Sequence, residues 1–161
     1  MVGLVVLTTL TDQVSKLWAV HYLSAQSSVE VLGDFFMLTL IYNEGGAMGT
    51  SFGSPIYYLV TSLLILIFVF YYLYTNRDNL HFAVPLACIA GGAIGNIVDR
   101  IRLGKVIDFI DVDFFDISFL HLERWWTFNI ADAAISCSIA YLLIRVVFFS
   151  KYHPEGQSPG I

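Results

Sequence analysis

The sequence predicts an all-α integral membrane protein with four transmembrane helices. Composition is the first reason: 57% of the 161 residues are hydrophobic and only 13% are charged, about half the charged share of an ordinary soluble domain. Mean hydropathy, at +0.72, points the same way. A soluble chain this small has too much surface for its volume to hide so much apolar area. The third reason is length: four stretches can span a bilayer core about 30 Å thick, which takes about 20 mostly apolar residues in a helix.

The first span covers residues 2–23. It carries Asp12 and Lys16 and has no basic leader, so it reads as a retained helix and not a cleavable signal peptide. The second, 55–74, contains no charge, and the third and fourth cover 82–98 and 130–149. The connection 75–81 is polar and brief, and the tail 151–161, with its Pro, Gly and Ser, reads as disordered. Residues 29–42 are rich in β-branched and aromatic side chains that Gly33-Asp34 can turn, which predicts a small hairpin or sheet at the membrane surface. The stretch 111–126 mixes acids with Phe, Leu and Trp, and Trp125 and Trp126 suit the headgroup level. No repeat or second domain is visible, so residues 1–161 read as one membrane-embedded domain.

A net charge of −5 and a pI near 5.1 exclude a nucleic-acid binder, which shows a basic patch or stripe. Orientation is not legible from charge: Arg77, Arg145 and Lys151 on the terminal side nearly balance Arg100, Arg102, Lys105 and Arg124 on the other. Cys88 and Cys137 lie in apolar runs and read as small buried hydrophobes. His21, His81, His121 and His153 lack ligand spacing, and no zinc, serine-elbow or phosphate-loop motif occurs. Neither a metal nor a cofactor is expected. Asp111, Asp113 and Asp116 read as a solvated acidic loop.

Ionisable side chains are expensive in lipid and so mark candidate sites. Asp12 and Lys16, spaced i,i+4, share a helix face and can neutralise each other, as a structural pair or as a contact to a site. Gly91 and Gly95 form a small-xxx-small face that lets a helix approach closely. Asn96, Asp99 and Arg100 follow on one face, either as packing with a local Asp–Arg pair or as a positioning cluster. Asp108 is a lone acid in an apolar run, and Asp132 opens the fourth span with Asn129 one turn earlier. Two carboxylates brought together in apolar surroundings cannot both ionise. Such a pair can share one proton, one member acting as base and the other as acid. Peptide hydrolysis is one use of that arrangement. A small proton-coupled transporter or channel, relaying through Asp12, Lys16, Asp99 and Asp132, is another, and a non-enzymatic scaffold is a third.

Five stretches, in order, resemble the bacterial lipoprotein signal peptidases, or type II signal peptidases. They are Asp12-Gln-Val-Ser-Lys16, Asn43-Glu-Gly-Gly-Ala47, Gly91-Gly-Ala-Ile-Gly-Asn96-Ile-Val-Asp99-Arg100, Val106-Ile-Asp108-Phe109 and Phe128-Asn129-Ile-Ala131-Asp132. The resemblance implies a multi-pass aspartyl protease of the bacterial inner membrane, with cytoplasmic termini and an active site near the periplasmic face. It implies a small periplasmic β-cradle over residues 29–42 and cleavage of diacylglyceryl-modified prolipoproteins before the lipidated cysteine. By motif, Asp108 and Asp132 would be the catalytic pair, and Asp12, Lys16, Asn43, Asn96, Asp99, Arg100 and Asn129 would line or brace the site. Membrane lipids, and the inhibitors globomycin and myxovirescin, are the other implied partners. The chain departs from the family in reading Gly45-Gly46-Ala47-Met48 after its asparagine motif. The interval from Asp108 to Asp132 is also longer than usual, which implies an extra periplasmic surface loop.

Overall fold

The computed structural model describes residues 1–26, 28–45, 54–113 and 126–149. They form α1 (Val2–Leu23), β1 (Val29–Leu32), β2 (Phe36–Asn43), α2 (Pro55–Thr75), α3 (Leu80–Leu103), β3 (Val106–Val112) and α4 (Ile130–Phe149). Helix ends follow local chemistry. Pro55, with its fixed φ, opens α2 behind Ser54. Asn79 caps α3 by accepting the His81 N–H, and Gly104 ends that helix at φ +68°, donating its own N–H to the Arg100 carbonyl.

The third helix is the hub, packed against α1, α2 and α4. Its glycines permit this. A Cβ on Gly91 would sit 2.7 Å from the Thr8 Cβ of α1, and one on Gly95 would run into the Asp12 carboxylate. The core between the helices is accordingly built of small residues, Ala83, Ala87 and Ala90, with Val5, Val69, Leu73, Leu86 and Ile89 around them. Facing outward are Ile56, Phe68 and Tyr71 on α2 and Phe148 on α4. An apolar exterior on this scale belongs in lipid.

Among the described residues, three helices are long and apolar enough to cross a membrane: α2, α3 and α4. α1 fills the stretch predicted as the first span, and its Asp12 and Lys16 lower its hydropathy. α3 is longer than the predicted 82–98, because Asn79 starts it earlier and Gly104 stops it later.

The strand-like segment 29–42 forms β1 and β2, turned at Gly33 (φ +52°), and β3 completes an antiparallel sheet ordered β1-β2-β3. The third strand is not predicted by the sequence pattern, since two acids interrupt its apolar run. Register places Asn43 opposite Val106 and Ile41 opposite Asp108. Beyond β3, Phe128 bridges to Ile110, accepting its N–H at 2.8 Å and donating back at 2.9 Å. This bridge seats the start of α4 beside β3.

Two minor expectations are corrected. Cys137 is exposed on the outside of α4, and Cys88 is only partly buried. Asp111 belongs to β3 and is buried, accepting the Thr39 hydroxyl at 2.9 Å, because strand pairing pulls it out of the predicted loop. The loop expectation at Asp116, Trp125, and the tail 151–161, as well as Gly46, Ala47 and Met48, fall outside the described residues.

Candidate active site

Sheet register and the Phe128 bridge bring Asp108 on β3 towards the first turn of α4, where Asp132 lies. Asn129 is the side chain that joins them. It is fully buried, and its Nδ2 donates to Asp108 Oδ1 at 2.7 Å, with the Ile107 carbonyl and Asn96 Oδ1 each 3.2 Å away. Asn129 also caps α4. Its Oδ1 accepts the Asp132 N–H at 2.9 Å, and its own backbone N–H donates to Asp132 Oδ2 at 3.3 Å. This reciprocal capping box satisfies donors that a helix start leaves free.

The remaining carboxylate oxygens are held by two further asparagines. Asn96 Nδ2 donates to Asp132 Oδ1 at 2.8 Å, and Asn43 Nδ2 to Asp108 Oδ2 at 3.0 Å. Asn43 is positioned by its own turn, since its Oδ1 accepts the Gly45 N–H at 2.9 Å. Each oxygen of both acids therefore meets an N–H donor, which fixes the carboxyl planes while leaving further lone pairs for other partners.

Behind the asparagines lies an ionic group that water barely reaches. Lys16 is 1% exposed, Asp12 0% and Asp99 1%. Lys16 Nζ is 2.9 Å from Asp12 Oδ2, 2.8 Å from Asp99 Oδ2 and 2.8 Å from Asn96 Oδ1. The predicted i,i+4 pair is thus present, whereas Asp99 takes Lys16 as its ion-pair partner in place of the local Arg100. Arg100 is half-buried; it reaches the Gly45 carbonyl at 3.5 Å and sets its charge near Asp132 and Asp108.

Electrostatics separate the site into a closed floor and an open side. Asp108 is 2% exposed, while Asp132, Asn43 and Arg100 are half-buried. Burial first, and the Asp132 charge second, push the Asp108 carboxyl up to about 6, against the pull of the Asn43 and Asn129 amides and the Lys16 ammonium. A carboxyl in that range can hold a proton or release it near neutrality, as general acid–base work requires. Among the described residues, no group of three His, Cys, Asp or Glu side chains is disposed to hold a metal ion.

All nine residues singled out in the sequence meet in or beside this network. Gln13 also takes part although the sequence does not mark it out: its Nε2 donates to Asp99 Oδ1 at 3.0 Å and the Gly95 carbonyl at 3.1 Å, with Asp12 Oδ2 at 3.3 Å. A signal for it exists, an amide next to Asp12 in a helix that lipid would penalise if left unpaired. His81, by contrast, contacts the Tyr141 hydroxyl at the opposite end of α3.

Comparison with known proteins bears on this arrangement. The sequence model of the Signal peptidase (SPase) II family matches residues 4–148. A lipoprotein signal peptidase of Syntrophus aciditrophicus is 35% identical, the match covering 88% of each chain. One from Coxiella burnetii is 36% identical over 92% of this chain and 90% of its own. One from Pelodictyon phaeoclathratiforme is 34% identical over 98% and 94%. Two solved structures, each described as a bacterial membrane enzyme determined in meso, share the architecture. The first has a TM-score of 0.82 and 26% identity, covering 98% of this chain and 93% of that one. The second has 0.77 and 28%, covering 92% of both.

Proposed function

The chain belongs to the signal peptidase II family and is a membrane-embedded protease that removes signal peptides from lipoproteins, and we propose that Asp108 and Asp132 are its catalytic pair. The observation that carries this reading is Asn129, which hydrogen-bonds one aspartate through its side chain and caps the other. In the reaction, the pair shares one proton. The ionised member takes a proton from water, which attacks the carbonyl preceding the cysteine, and the protonated member polarises that carbonyl oxygen. The C–N bond then breaks as a proton passes to the leaving amine, which restores the shared proton.

The substrate is a prolipoprotein whose cysteine carries a diacylglyceryl group, with the acyl chains lying in bilayer lipid against the apolar outer face of the helices. Residues 1–161 act as one membrane-embedded peptidase domain with α1 as a fourth span, because its two charges are neutralised inside the bundle and its outer face keeps Leu7, Leu10, Val14 and Leu17 exposed. The sheet and the starts of α2 and α4 then share the periplasmic face of the inner membrane, and both termini are cytoplasmic. Asn43, Asn96 and Asn129 hold the pair, Arg100 offsets its charge, and Asp12, Lys16 and Asp99 brace it from behind. Globomycin and myxovirescin occupy the pair. The family match gives no support to a transporter.

The test is a gel-shift assay on the purified protein in detergent with a prolipoprotein bearing or lacking the diacylglyceryl group. Cleavage confined to the lipidated form, blocked by globomycin and lost in Asp108→Asn and in Asp132→Asn, is the expected result. Turnover retained by either variant overturns the assignment of the pair.

A further inference from the structure

Lys16 joins two anchors that are alike in a specific way. Asp12, on one side of the ammonium, uses its other oxygen to accept the Ala131 N–H at 2.9 Å, and Ala131 immediately precedes Asp132. Asp99, on the other side, accepts the Ile107 N–H at 3.2 Å, and Ile107 immediately precedes Asp108. The ammonium's third proton goes to Asn96, whose amide reaches Asp132. An unbroken line of polar contacts therefore runs from the backbone beside one catalytic aspartate, through Asp99, Lys16 and Asp12, to the backbone beside the other.

Stability alone does not account for this line. Buried ion pairs replaced by apolar side chains of similar size are often neutral or stabilising, and α1 is already seated on α3 through Thr8 at Gly91. What apolar packing does not supply is a fixed distance between two backbone N–H groups on different elements. We infer that Lys16 is a positioning residue, which with Asp12 and Asp99 sets the separation of the Asp108 and Asp132 carboxyls. The inference rests on the reading of those two aspartates as the catalytic pair.

Two variants test it, assayed as kcat, KM and pH profile per folded molecule in detergent. Lys16→Met removes the bridge and leaves Asp12 and Asp99 facing each other. The double variant Lys16→Met with Asp12→Asn restores the net charge of the group, and the amide oxygen introduced in place of the carboxylate can still accept the Ala131 N–H, but the ammonium no longer spans the two anchors and only the Gln13 amide reaches both. In both, kcat is expected to fall ten- to a hundredfold, the effect of about 1 Å of misplacement, while KM for the lipidated substrate changes less than about twofold. With the aspartates drawn apart, their mutual repulsion weakens, so the two limbs of the kcat/KM profile should move towards each other. If the single variant does not fold, the double variant decides. Activity that falls only in proportion to folded protein, or that returns in the double variant, overturns the inference. Asp108→Asn and Asp132→Asn run in parallel keep the two failures apart. If they are inactive while Lys16→Met keeps its kcat and profile, the spacing role alone is lost; if they are active, the catalytic assignment fails first.

Discussion

Asn129 and Asp132 hold each other twice: the Asn129 side-chain oxygen accepts the Asp132 N–H at 2.9 Å, and Asp132 Oδ2 accepts the Asn129 N–H at 3.3 Å. One residue therefore starts α4 and aims a proposed catalytic carboxyl, while its free amide reaches Asp108. The helix cap and the proposed catalytic pair are a single structure, so a change at the cap should be felt in turnover as well as in folding.

Asn129→Ala tests this. Loss of an N-cap side chain costs about 1 kcal/mol, and the buried acceptors left without the amide add roughly 1–3 kcal/mol, so the thermal midpoint falls and turnover is read per folded molecule. Turnover is expected to fall at least about a hundredfold, because the Asp108 donor and the Asp132 restraint disappear together. Signal-peptide cleavage measured beside thermal unfolding checks both. Near-normal turnover in folded Asn129→Ala would show that the asparagine serves the helix alone.

Asn43→Ala removes the second Asp108 donor, at 3.0 Å, together with the acceptor that holds the Gly45 N–H. That amide stabilises the ionised carboxylate, so its loss should raise the Asp108 pKa above its present value of about 6. The limb of the kcat/KM profile that reports Asp108 should move to higher pH, with kcat reduced about tenfold, the scale of one hydrogen bond to a charged group. A limb that stays in place or moves down contradicts the contact.

How much of this was legible in the sequence follows from what each feature depends on. The helices were readable because apolar length is a local property, as was the Asp12–Lys16 pair at i,i+4. The turn at Gly33 was readable from glycine and its β-branched flanks. The strand Val106–Val112 was not, because Asp108 and Asp111 break an apolar run and only pairing with β2 explains why both are buried. Partner choice was also hidden. Asp99 sits next to Arg100 in the chain, yet the distant Lys16 takes it because the close α1–α3 crossing at Gly91 and Gly95 puts the ammonium there. Five motifs could mark which polar residues belong together, whereas the order of their hydrogen bonds comes from packing.

Stability should depend on pH through Asp108. Its folded pKa of about 6 lies above the ordinary 3.8, so the native state binds the proton more tightly than the unfolded chain. The stabilising contribution is full below about pH 4 and is lost as pH rises through about 6, a change on the order of 3 kcal/mol at most. Thermal midpoints of the wild type in detergent should fall across that window, and Asp108→Asn should flatten the fall. A midpoint that instead rises through this window in the wild type, and equally in Asp108→Asn, would place the titration elsewhere.

Two glycines that propensity scales treat alike should respond differently to alanine. Gly3 and Gly95 both lie in helices, where alanine is favoured by up to about 1 kcal/mol. At Gly3 an added Cβ meets nothing within 4 Å, so Gly3→Ala should be neutral or slightly stabilising. At Gly95 the same methyl enters the space of the Asp12 carboxylate, which is tied to Lys16 and to the Ala131 N–H. The carboxylate has no water to retreat into, so α1 must move off α3, and the contacts of Asp12 and Gln13 with it. Gly95→Ala should therefore lower the thermal midpoint by several degrees, as a loss of about 1–3 kcal/mol from overpacking does in a domain of this size, and should lower turnover of the folded fraction as well. Equal stability and turnover in the two alanine variants would mean that the helices do not approach as closely as these contacts require.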